Sequence, residues 1–151
     1  VLSGLRAIDC SKYPWVLVHD AARPCVSHDD IDKLIHQCME QDSGGILAVP
    51  VRDTMKRSVN IDGKLNSIES TVDREQLWHA LTPQLYKTDE LTLAIEQAIE
   101  NVLIITDEAS AIEQANLPSI LVQGSSENIK ITHPDDLALA QFYINKQAHN
   151  S

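Results

Sequence analysis

Several polar side chains stand where packing alone does not ask for them. Asp20 and Arg23 follow directly on an apolar run, Trp15–Val18, in the segment WVLVHDAARP. An Asp just beyond the carboxyl end of a strand can hold a hard cation, and an Arg three residues later can hold a phosphate. Ala21 and Ala22 between them are small enough to let a ligand approach the backbone. Further along, Arg52, Asp53, Thr54, Lys56 and Arg57 crowd one short polar stretch, and Asp73-Arg74 closes the segment that it opens. Thr106 stands at the expected start of a helix, where backbone amides and the helix dipole favour an anion. Lys130 lies between Ile129 and Ile131 and so points to the opposite face from them. Together these residues would form a cationic, hydroxyl-rich pocket for a phosphorylated small molecule, with one carboxylate for a metal. Singly, each has a plainer reading: an Asp turn after a strand, a solvated Arg on a hairpin, a Thr that only caps a helix.

Other chemistries find no support. There is no G-x-G-x-x-G or Walker loop, no Cys/His metal framework and no G-x-S-x-G elbow. His19 follows an apolar strand and reads as structural rather than as a general base. His28, His36, His79, His133 and His149 show no relation to one another.

The elements that must position these residues are α/β in pattern. Val1–Ile8 reads as the end of a helix, with Leu5 and Ile8 on one side. Trp15–Val18 suits a strand buried on both faces of a parallel sheet. Ser27 caps a helix with Asp29 and Asp30 in its first turn; Ile31, Leu34, Ile35, Cys38 and Met39 make its apolar face, and Gly44-Gly45 stops it. Ile46–Val49, closed by Pro50, is the next strand, which makes a βαβ unit with a right-handed crossover. Residues 51–76 then form a polar hairpin arm turning at Asp62-Gly63, with too few apolar residues to make a core of its own. It must pack on something, and a second subunit is a reasonable candidate.

Leu77–Gln84 returns the chain to the sheet. Thr88 caps a helix whose inner face is Leu91, Ala94, Ile95, Ala98 and Ile99. Ala109–Gln114 is a short helix, Ser119–Val122 a strand and Ile129–Ile131 a short extended piece. Thr132 caps the last helix, with Leu137, Ala140 and Ile144 inward and the tail 145–151 frayed. The whole of 1–151 reads as one domain carrying the arm.

Composition narrows the class of partner. The chain has 151 residues, 43% of them hydrophobic, and a net charge of −10. That balance argues against a general nucleic-acid binder but not against an anionic substrate held by a few gathered cations. No run approaches the roughly 18 apolar residues of a membrane span. Cys10, Cys25 and Cys38 lack metal-ligand spacing and read as reduced thiols of a cytoplasmic protein. No leader pattern is visible, and Val1 already stands inside a helix-like pattern. The chain is therefore expected to be the C-terminal part of a longer protein.

Five segments taken together are more specific than any one residue. VLVHDAARP at 16–24, GGILAVPVRDTMKR at 44–57, TVDREQLWHALTPQ at 71–84, ITDEAS at 105–110 and NIKIT at 128–132 closely resemble the 2-C-methyl-D-erythritol 4-phosphate cytidylyltransferase family, in order and across nearly the whole chain. The resemblance implies a Rossmann-like nucleotidyltransferase sheet with a β-hairpin arm that interlocks across a homodimer. It implies transfer of a cytidylyl group from CTP to methylerythritol phosphate, with magnesium or another divalent cation, in non-mevalonate isoprenoid biosynthesis. By the same match Asp20 would lie at the metal and substrate, and Arg74 and Lys130 would orient the attacking phosphate. Arg23, Thr54 and Thr106 would also hold the substrate, with Thr54 and Arg74 serving the partner's site.

The family's Gly-rich CTP loop, with its Arg and Lys, has no counterpart in these residues. The sheet is therefore expected to be incomplete, and the fragment alone inactive. A ribitol 5-phosphate cytidylyltransferase and a non-catalytic sugar-phosphate-binding or dimerisation module are the alternatives, and the DAARP segment favours methylerythritol phosphate.

Overall fold

The computed structural model describes residues 1–61, 63 and 65–150. Asp62 of the expected turn, and Lys64 and Ser151, lie outside the described residues. The elements in chain order are α1 (Leu2–Leu5), β1 (Trp15–Val18), α2 (His28–Gln41), β2 (Gly44–Pro50), β3 (Met55–Ile61), β4 (Leu65–Val72), β5 (Trp78–Lys87), α3 (Thr88–Glu100), α4 (Glu108–Gln114), β6 (Ser119–Gln123) and α5 (Asp136–Asn150).

Four strands form a sheet in the order β1-β5-β2-β6. Side chains alternate across it with the period of two that strands impose. Ile46, Ala48 and Tyr86 face one side and pack with Leu5, Leu91, Ala94, Ile95, Ala109, Ala111 and Ile112 from α1, α3 and α4. Leu47, Leu81, Leu85 and Val122 face the other side, against Leu34 and Cys38 of α2. The result is a helix–sheet–helix sandwich with β2 buried on both faces over most of its length.

The sheet corrects the expected βαβ unit. β1 and β2 are not neighbours: β5 lies between them and is antiparallel to both, and only β2 and β6 pair in parallel. β1 is consequently half-buried along its whole length rather than buried on both faces.

The segment Leu77–Gln84, expected to return the chain to the sheet, thus enters one of its two inner strands, which continues to Lys87. That strand contains Pro83, which has no amide to give a ladder. Its pairing with β2 slips at that point, from Ile46↔Gln84 to Ala48↔Ala80. The slip lets Thr82 leave the ladder and turn its polar groups towards the end of β1.

Several local expectations change with their physical reasons. Ser27 caps α2 by accepting from the Asp30 amide at 3.1 Å, as expected, but α2 ends at Asp42, held at φ 45. Gly44-Gly45 instead opens β2, where a Cβ on Gly44 would stand 2.1 Å from Tyr86 Cδ1. Thr88 does not cap α3; it is buried and donates to the Tyr13 carbonyl at 2.8 Å. Ile35, Met39, Ile99, Leu137 and Ile144, all expected inward, are exposed. Ile129–Ile131 joins no strand, although the Ile131 amide donates to Ala22 O at 2.8 Å. Thr132 does not cap α5 by accepting: with His133 it donates to the Asp136 carboxylate, and the helix starts there. The expected frayed tail is helical through Asn150.

The arm forms as expected from β3 and β4, paired antiparallel only with each other. Every residue of β3 is exposed.

Candidate functional site

The site is built at the carboxyl end of β1. Lys130 Nζ lies 2.9 Å from Asp20 Oδ2, and Arg23 Nε lies 3.6 Å from the same oxygen. Three of the six expected residues, from two distant segments, therefore meet at one point. Arg23 is anchored by its fork: Nη1 donates to the backbone carbonyl of Asn128 at 2.7 Å. Lys130 follows two residues after Asn128, so this bond fixes both cations relative to each other. The donated hydrogen bond of Lys130 holds the Asp20 carboxyl below its usual value of 3.8, with burial opposing and Arg23 adding attraction. Burial lowers the pKa of Arg23 from its ordinary value, and Asp20 counteracts the shift.

The strand slip in β5 supplies the support. The Thr82 hydroxyl accepts from the Asp20 amide at 3.0 Å and pairs with His19 Nδ1 at 2.9 Å. The Thr82 carbonyl accepts from Asn128 Nδ2 at 2.8 Å. Two buried polar atoms here, Arg23 Nε and Asn128 Oδ1, have no hydrogen-bond partner among the described residues.

Thr106 is placed differently from expectation. The cap of α4 is Asp107, reciprocated by Ser110. The amides of Thr106 and Asp107 both donate to Ser110 Oγ, that of Ser110 to Asp107, and that of Ala109 to the buried side chain of Gln84. With these amides already used, α4 offers a phosphate little backbone, and Thr106 itself is exposed. Arg74 returns to the base of the arm, beyond the last pair Met55↔Val72, and its side chain donates to Arg52 O. That is the expected closure of the hairpin near Thr54. Among the described residues, neither Thr54, Arg74 nor Thr106 is bonded to the Asp20 cluster.

For a metal, the described residues hold no group of three or more His, Cys, Asp or Glu side chains. Asp20 is a lone carboxylate whose nearest cations both approach Oδ2. That leaves Oδ1 to offer, which fits magnesium held mostly by substrate phosphates and water. A separate cavity of about 500 Å³, lined by residues 26–29 and the end of α5, contains no Lys or Arg. The gathered cations therefore lie on the open strand end and not in that cavity.

Residues 1–146 match the family model of IspD, 2-C-methyl-D-erythritol 4-phosphate cytidylyltransferase. The chain belongs to this family. A cytidylyltransferase of that name from Colwellia psychrerythraea is 76% identical over all of this chain and 64% of its own length. One from Vibrio parahaemolyticus is 57% identical over 97% of this chain and 62% of its own. The solved IspD of Francisella tularensis superposes with TM-score 0.84 at 40% identity, covering 94% of this chain and 65% of that one. The Thermus thermophilus structure gives TM-score 0.80 at 32% identity, over 95% and 67% of the two chains. The chain thus spans less than two thirds of the length of these curated relatives. Its fold is the Rossmann-like nucleotidyltransferase sheet expected from the motifs, in partial form.

His19, expected to be structural, is bonded at both ring nitrogens, whereas Thr82, Gln84 and Asn128 are supports that the local motifs do not mark. The available signal was the pair of polar residues, Thr82 and Gln84, set among Leu81, Pro83, Leu85 and Tyr86. Both are buried, and buried polar side chains need partners.

Proposed function

We propose that the complete gene product transfers a cytidylyl group from CTP to the phosphate of 2-C-methyl-D-erythritol 4-phosphate, releasing pyrophosphate, and that this chain supplies the acceptor side of the site. The observation that carries the reading is the junction of Asp20, Arg23 and Lys130 at the end of β1, within a chain that matches the family over residues 1–146.

An oxygen of the acceptor phosphate attacks the α-phosphorus of CTP in line, and pyrophosphate leaves with the electron pair of the broken P–O bond. No protein nucleophile is required, so catalysis is placement and charge stabilisation. Lys130, half exposed, turns from Asp20 to the incoming phosphate while Arg23 stays anchored on Asn128. Thr106 presents its hydroxyl to the same group. Asp20 would hold a magnesium ion, which offsets charge between the nucleotide and the acceptor when bound.

Arg74 and Thr54, at the base of the arm, are assigned to the site of a second copy. The arm supports this because it has no core of its own and exposes Val59, Ile61 and Ile68. Homodimerisation through residues 51–76 is therefore part of the proposal. So is a cytoplasmic location, in keeping with three free cysteines. Among the described residues no helix is long and apolar enough to cross a membrane.

Pyrophosphate release by the complete gene product is the test. Turnover with methylerythritol phosphate and not with ribitol 5-phosphate supports the reading. Turnover with ribitol phosphate alone, or with neither, overturns it. Light scattering of a variant with residues 53–73 replaced by a short linker should give a monomer where the parent is a dimer.

A further inference from the structure

The turn that carries Asp20 and Arg23 leaves the sheet as a loop, yet one ring grips it at both ends. His19 Nε2 lies 3.0 Å from the backbone carbonyl of Arg23, and Nδ1 lies 2.9 Å from Thr82 Oγ1. A carbonyl only accepts, so Nε2 carries a proton, and in the neutral ring Nδ1 accepts from the Thr82 hydroxyl. The same hydroxyl oxygen takes the amide of Asp20 at 3.0 Å. Both ring nitrogens are thereby used within the protein, which leaves His19 no free nitrogen to exchange a proton with substrate. The Arg23 amide donates to Asp20 O at 3.0 Å, so the turn also closes on itself. Removing the ring would release the Arg23 carbonyl and the Thr82 hydroxyl together. The Asp20 carboxylate, the Arg23 guanidinium and the Lys130 ammonium would remain chemically intact.

We propose that His19 is a positioning residue for acceptor binding: its imidazole clamps the Asp20–Arg23 turn to β5 and so sets where the Arg23 guanidinium stands relative to Lys130. The inference rests on the reading that these two cations receive the acceptor phosphate. A displaced turn moves a phosphate-holding group without altering it, and displacements near 1 Å cost up to about a hundredfold when alignment matters.

The test is steady-state kinetics of the complete gene product carrying His19→Ala, His19→Gln or His19→Asn. For H19A, KM for methylerythritol phosphate is expected to rise about tenfold while KM for CTP stays within about twofold. H19Q places an amide near Nε2, keeps the donor to Arg23 O and should recover most of the loss. H19N reaches only towards Thr82 and should recover less. Unchanged KM values, or equal rises for both substrates, overturn the clamp.

Inorganic phosphate, titrated against the amide resonances of Ala22 and Lys130, separates the two ideas. Phosphate affinity that depends on His19, in a protein that releases no pyrophosphate, overturns the proposed reaction and leaves the clamp standing. Turnover of methylerythritol phosphate with neither KM nor phosphate affinity altered by H19A overturns the clamp alone. Absence of both turnover and phosphate binding overturns both.

Discussion

Arg23 Nη1 donates to the carbonyl of Asn128 at 2.7 Å across 105 residues of chain. The same guanidinium faces Asp20 through Nε, so one planar fork ties together the loops after β1 and β6. A lysine carries a point charge and cannot make both contacts from the same stem. Arg23→Lys is expected to leave the Asn128 carbonyl unpaired, which costs about 1–3 kcal/mol. Urea denaturation of the complete gene product measures this, and phosphate affinity should fall in parallel. Equal stability of the two proteins would mean that the fork is not what joins the loops.

Asp20 has a folded pKa below its usual 3.8 because Lys130 donates to it. A lowered carboxyl pKa means that the folded state prefers the charged form. Its contribution to stability is complete above the unfolded value and is lost as pH falls through the lower folded value. The side chain is 37% exposed, so solvent screening holds the effect below about 1 kcal/mol. Asp20→Asn should flatten the acid limb of stability below about pH 4 and change little at pH 7, as read by chemical denaturation across that range. A mutant limb as steep as the parent's would assign the acid sensitivity elsewhere.

Val102 sits at φ 55 and is 88% exposed, in the turn that ends α3. A β-branched residue in this left-handed region is strained by about 1–2 kcal/mol, while glycine is not. Glycine also loosens the unfolded chain, which returns part of the gain. Val102→Gly is therefore expected to raise stability by about 0.5–1 kcal/mol, visible as a higher melting temperature. A lower one would show that Val102 makes a contact that outweighs its backbone.

Gly45 opens β2 where a Cβ would stand 2.6 Å from Ile120 Cγ1 and 2.8 Å from Ile120 O. The second neighbour is backbone on the paired strand β6 and cannot rotate away. Gly45→Ala should cost about 1–3 kcal/mol through overpacking. Full stability in the alanine variant would place β6 farther from β2 than the observed register.

The three thiols differ sharply in environment. Cys10 is exposed, while Cys25 and Cys38 are buried. Burial raises the Cys38 thiol to about 11 and raises that of Cys25, with Glu127 adding to the latter. At pH 8, labelling with a thiol-specific reagent should modify Cys10 quickly and the other two only after unfolding. Rapid modification of Cys38 in the native protein would contradict the packing of α2 on the sheet.

Much of the site was legible in the chain. Strand runs, the cap at Ser27, the hairpin and the positions of Asp20, Arg23 and Lys130 follow from local chemistry: apolar periodicity, dipole preference and turn composition. So did membership of the family, because five motifs in order are far more specific than any one of them. Position at the end of a strand is a local property, so Asp20 could be found without its partners.

Tertiary structure alone decided which strands are neighbours. The insertion of β5 between β1 and β2 depends on a long-range pairing that neither strand's own pattern encodes. It also decided that the amides of α4 are taken by Asp107, Ser110 and Gln84, since Gln84 arrives from a distant strand. The same holds for the support beneath the site. His19, Thr82 and Asn128 are ordinary polar residues in sequence. They acquire a role because the slip at Pro83 brings hydrogen-bonding groups from three separate segments within reach of one another.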